Sequence, residues 1–128
     1  MNLSMIFYVA AGGAVGAVGR FGVDRLAGAF LGHGFPFGTL IVNIAGSFLL
    51  GAMIEASALV WSPSPEIRAM IVIGLLGAFT TFSTFSLDVV TLMTRGEMAH
   101  ALVYVGVSIF ASIGALWAGM ALLRSVLT

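Results

Sequence analysis

The chain has 128 residues, of which 60% are hydrophobic and 8% charged, whereas a soluble domain carries roughly 25% charged and 45–50% apolar residues. Five arginines balance five carboxylates, and lysine and cysteine are absent. These values exclude a soluble domain, a disulfide framework, a thiolate metal site and a basic face for nucleic acid, and they predict an integral protein of the lipid bilayer.

A bilayer core takes about 20 mostly apolar residues per helix, and the chain divides into four such pieces. The first span is predicted over residues 4–26. Residues 1–19 hold no Lys or Arg and run on as long as a full span, so a retained helix is expected rather than a cleaved signal peptide. Gly12, Gly16 and Gly19 form one face of it, where another helix can approach closely. Arg20, near its end, either snorkels to the interface or gathers anions in a vestibule.

After the turn G-H-G-F-P-F, the second span covers residues 38–59. Gly46 and Gly51 interrupt it, and Glu55 is expected to be solvated near its end, like Arg124 in the last span. Its Asn43 has two readings, a glue between helices or a pair of N–H donors for an anion. The W-S-P-S-P turn leads to the third span, residues 69–94, and a short R-G-E turn leads to the fourth, residues 99–124. No window shows the polar face that a soluble bundle needs. The expected fold is all-α, a single four-helix transmembrane domain over residues 1–128.

Cytoplasmic loops carry the excess of Lys and Arg. With four spans, Arg68 and Arg124 fall on one side and Arg20, Arg25 and Arg95 on the other. So even a division predicts dual topology, with two opposed copies pairing about a twofold axis in the membrane plane.

The third span contains T-T-F-S-T-F-S, five hydroxyls and two phenylalanines in residues 80–86. Gly74 and Gly77 precede it, and Thr80 and Thr81 are β-branched and compete for backbone hydrogen bonds. A helix break is expected over residues 77–81, and irregular backbone at membrane depth lasts only where protein buries it or where it lines a cavity. Carbonyls freed there suit a small cation. Tyr104, Ser108 and Ser112, spaced by four, stack on one face of the fourth span. Phe82 and Phe85 alternate with hydroxyls, and the edge of an aromatic ring is electropositive. Ring edges, amide N–H groups and hydroxyls can replace an anion's hydration shell without trapping it. Asp88 either reaches the interface or faces a polar cavity. His33 and His100 have no metal-ligand spacing, and no nucleophile with a base, no paired acids and no phosphate loop occur, so no enzyme is expected.

G-T-L-I-V-N at residues 38–43, G-S-F-L-L-G at 46–51, G-A-F-T-T-F-S-T-F-S at 77–86 and the Tyr104, Ser108, Ser112 ladder together resemble the Fluc family of bacterial fluoride channels. The resemblance covers essentially the whole chain. It implies an antiparallel homodimer in the bacterial inner membrane with two fluoride pores, conferring fluoride resistance by passive export. It implies that Phe82 and Phe85 present ring edges to fluoride beside Asn43, that Tyr104, Ser108 and Ser112 form a polar track with Ser83 and Thr84 nearby, and that Arg20 lies toward a vestibule. It also implies a structural Na⁺ at the dimer centre, held by the backbone carbonyls matching Gly77 and Thr80. Where family members often have a second glycine and a glutamate, this chain has Ala78 and Asp88. Two rivals are a dual-topology, proton-coupled small multidrug exporter and a membrane anchor subunit. The first needs a carboxylate deep in the first span, where this chain has none, and the second leaves T-T-F-S-T-F-S unexplained.

Overall fold

A computed structural model describes residues 2–128, and among them every regular element is a helix. Helix α1 (Leu3–Leu31) begins at Asn2, whose side-chain oxygen accepts the Met5 N–H at 2.8 Å. It continues past the expected span end at Leu26, because no residue before Gly32 stops it. Gly32 turns the chain with a φ of 82°, a conformation that glycine adopts without steric cost. Helix α2 (Phe37–Leu59) follows directly.

The third span, Pro65–Thr94, is built from several pieces. Helix α3 (Pro65–Ala69) opens with proline at a position where a missing N–H costs nothing, and Ser64 caps it by accepting the Ile67 N–H. A π-helical segment, Met70–Leu76, comes next, then the single turn α4 (Gly77–Phe79). Thr80 (φ −87°, ψ 160°) and Thr81 (φ −155°, ψ 123°) are extended, whereas Gly77 itself stays helical at φ −62° and ψ −37°. Helix α5 (Phe82–Thr94) completes the span and α6 (Met98–Leu127) forms the fourth. All four spans are long and apolar enough to cross a membrane.

Small residues set how the spans meet. The α-carbon face of Gly12 lies on the Met70 carbonyl and that of Gly16 on the Leu75 carbonyl, while Gly74 in return faces Val9. The first span and the start of the third therefore run side by side in the same direction. In the second such pair, Gly51 rests on the carbonyl of Leu116 and Gly119 on that of Phe48. Phe35 meets the Tyr104 ring edge-on, 5.5 Å away, at one end of this pair, and Glu55 meets Arg124 at the other. Helices α2 and α6 are thus parallel, joined along their length by backbone contact and at both ends by side chains.

The expectation that Glu55 is solvated is not met. It is only 3% exposed, and its carboxylate accepts a hydrogen bond from Arg124 Nε at 2.8 Å. Glu55 follows Gly51 by one turn on the same face, so the close approach that glycine permits carries the carboxylate inward. Arg124 keeps the outer end of the pair in contact with solvent, with a side chain 69% exposed.

Candidate functional site

The site starts from the two extended threonines. Thr81 caps α5, its Oγ1 accepting the Thr84 N–H at 3.1 Å. Thr80 turns its own hydroxyl back to the Leu76 carbonyl at 2.9 Å. Asn43 of α2 grips the peptide groups of Thr81 from across the interface. Its Nδ2 donates to the Thr81 carbonyl at 3.0 Å, and its Oδ1 accepts the Thr81 N–H at 2.8 Å. Arg20 reaches over from α1, its Nε donating to the Ala78 carbonyl at 3.1 Å.

These bonds decide which carbonyls stay free. In a continuous helix the Gly77 carbonyl would accept from Thr81 N–H, and the Thr80 carbonyl from Thr84 N–H. Asn43 and the Thr81 hydroxyl take those two donors instead. The carbonyls of Gly77 and Thr80 thereby lose their helical partners, while those of Ala78 and Thr81 gain side-chain donors.

An open groove of about 360 Å³ runs beside this point. It brings together Asn43, Gly77, Thr80, Phe82, Phe85, Ser108 and Ser112. The rings of Phe82 and Phe85 lie 5.6 Å apart with planes inclined at 42°, and Phe82 is 78% exposed. The hydroxyls of Ser108 and Ser112 are buried and have no hydrogen-bond partner among the described residues. Helical serines ordinarily bond back to their own backbone, so these two donors are held in reserve on the groove wall.

Other expected site residues lie elsewhere. Tyr104 is 0% exposed and belongs to a core cluster with Leu92 and Ala101, against which Phe85 packs. Its hydroxyl donates to Asp88 Oδ2 at 2.9 Å. The ladder is therefore divided, its first hydroxyl engaged and its next two free. Asp88 and Thr84 line a second groove of about 220 Å³ with Arg95, and Arg20 lines a third of about 230 Å³ with Asp24 and Thr84. Ser83 lines none of these grooves, and its Oγ lies 3.3 Å from Thr81 Oγ1. Ser47 also lines the main groove and was not among the expected residues, although its spacing of four from Asn43 puts both on one face.

The bond between Tyr104 and Asp88 ties α6 to α5. A hydrogen bond to a charged group contributes about 1.5–3 kcal/mol, so Tyr104→Phe is expected to cost about 2 kcal/mol in thermal unfolding of the detergent-solubilised protein. Asp88→Asn, which keeps an acceptor, is expected to cost less; a loss equal to that of Tyr104→Phe would show that the contact depends on the carboxylate's charge.

Residues 7–120 match the family described as "CrcB-like protein, Camphor Resistance (CrcB)". Among curated relatives, one from Rhodospirillum centenum is 47% identical over 96% of this chain and 98% of its own. One from a Chelativorans species is 50% identical over 95% of this chain and 98% of its own, and one from Nitrobacter winogradskyi is 45% identical over 98% and 100%. Each of the three is named "Fluoride-specific ion channel FluC". The chain is a multi-pass bacterial membrane protein, and it belongs to the CrcB-like family that those fluoride-specific channels represent.

Proposed function

We propose that this chain is a fluoride-selective passive channel that works as an antiparallel homodimer with two pores in the bacterial inner membrane. The names of its relatives supply the ion. The observation that carries the mechanism is the main groove, which opens on one face of a lipid-spanning subunit and is lined by the buried, unpartnered hydroxyls of Ser108 and Ser112 and by Gly77 and Thr80. A polar group left without a partner in hydrocarbon costs several kcal/mol. A second copy of the chain covers that face and turns the groove into an enclosed path.

Fluoride passes from the Asn43 amide along the edges of Phe82 and Phe85 to the Ser108 and Ser112 hydroxyls. None of these carries a full charge, so each replaces part of the hydration shell without trapping the ion. Thr84, Ser83, Asp88 and Tyr104 extend the polar track toward the second groove, and Arg20 concentrates anions at the vestibule. A negative membrane potential drives the anion outward with about 2.3 kcal/mol per charge per 100 mV. No proton or nucleotide is coupled to that exit. Fluoride trapped after neutral HF enters and ionises inside thus has a way out.

The structural Na⁺ fits the residues present. Both Gly77 and Thr80 have lost the N–H groups that a helix would offer their carbonyls, and neutral carbonyl oxygens suit a hard monovalent cation. One subunit brings only these two groups, and a twofold copy doubles them. When bound, the ion offsets the negative ends of the carbonyl dipoles at the centre of the dimer.

Liposomes containing the purified protein test this function. Rapid release of fluoride on adding a potassium ionophore, without release of chloride from matched vesicles, is the expected result. Release only under a proton gradient would replace the channel with a coupled exporter, and no release would leave an anchor subunit.

A further inference from the structure

The Asn43 amide is already committed. Its oxygen and one of its two N–H groups are spent on the peptide groups of Thr81, leaving one N–H for the groove it lines. An anion donor needs no such grip. What the grip accomplishes is read from Thr81 N–H, the group that would otherwise close a helical turn on Gly77.

We propose that Asn43 is a positioning residue for the cation site as well as a donor on the anion path: by capturing the Thr81 N–H it holds the Gly77 carbonyl free for the ion. Arg20 completes the sorting. Its Nε occupies the Ala78 carbonyl, so the carbonyls of Ala78 and Thr81 have side-chain donors while those of Gly77 and Thr80, without their helical donors, would be the ones to hold the cation. One amide thereby ties the two ion sites together, and the proposal rests on the Na⁺ site of the channel reading.

The side chains that can replace Asn43 separate its two roles. Asn43→Asp keeps the oxygen that accepts Thr81 N–H but loses the N–H donors and adds a negative charge beside the anion path. Asn43→Leu keeps the shape and loses both groups. The Thr81 N–H then returns to the Gly77 carbonyl, and the short helix α4 runs on through the break.

The test is the thermal stability of the purified full-length protein in detergent, titrated with NaCl against choline chloride, alongside fluoride release from liposomes. For the unsubstituted protein a rise in melting temperature specific to Na⁺ is expected. N43D should keep that rise with its Na⁺ midpoint unchanged or lower, although its fluoride release falls at least tenfold. N43L should lose release and also raise the Na⁺ midpoint tenfold or more. Should N43L be recovered only as aggregate, N43S, whose hydroxyl is too short to span the gap, takes its place with the same expectation. A normal Na⁺ midpoint in N43L or N43S would overturn the positioning role while leaving the cation site standing. Equal loss of the Na⁺ response in N43D and N43L would also overturn it, because captured N–H would not be what matters. Absence of any Na⁺ effect in the unsubstituted protein would remove the cation site itself, and this role with it.

Discussion

Phe82→Ile is expected to lower fluoride release from liposomes about tenfold or more, equivalent to at least about 1.4 kcal/mol on the barrier, with little change in stability. The ring is 78% exposed on the groove wall, so few contacts inside the subunit depend on it. Isoleucine fills similar space but has no electropositive edge. Phe85→Ile should lower release comparably but carry a second cost. Its ring lies 5.2 Å from that of Tyr104 and packs on the buried cluster, and an aromatic pair contributes about 0.5–1.5 kcal/mol beyond its buried area. Thermal unfolding and size-exclusion chromatography measured beside flux separate the two effects. If both variants conduct normally, the ring edges are not part of the path.

Gly51→Val is expected to prevent folding or to destabilise the protein by about 3 kcal/mol or more, the upper range for overpacking. Any β-carbon at this position meets the carbonyl oxygen of Leu116. That neighbour is helix backbone and cannot turn aside as a side chain would. Separating α2 from α6 would also pull Glu55 away from Arg124. Gly114→Ala supplies the contrast, because within the subunit nothing lies within 4 Å of a β-carbon there. Its expected change is within about 1 kcal/mol. A Gly51→Val protein that melts with Gly114→Ala would show that the two helices are not held by backbone contact.

How much of this was legible beforehand depended on the kind of signal. The four spans follow from uninterrupted apolar length, which needs no tertiary knowledge. The loose backbone near T-T-F-S-T-F-S was visible in its hydroxyls and glycines, but which residues would leave the helix was not. Gly77 remains helical and the two β-branched threonines are extended, and the peptide groups of Thr81 are bonded by Asn43, which reaches in from another helix. Tyr104, Ser108 and Ser112 lie at intervals of four on the continuous helix α6, yet only the two serines line the main groove. Spacing was silent on the difference between them, since Asp88, which engages only Tyr104, lies on another helix. Glu55 was misread for a related reason. Near the end of an apolar run a carboxylate reads as solvated, and its burial depends on a glycine contact with a span 69 residues further along, the separation between Glu55 and Arg124.

That separation also fixes an order of assembly. As the chain leaves the ribosome, the second span reaches the membrane ahead of Arg124, which is the cation that Glu55 pairs with in the folded subunit. An isolated acid at the edge of the hydrocarbon is held near the headgroups. Only when the final turns of the last span deliver Arg124 does Glu55 gain its ionic partner and the second span its settled depth. The subunit is therefore closed only when α6 is in place, and the groove wall formed by α2 and α6 becomes a fixed surface at that point.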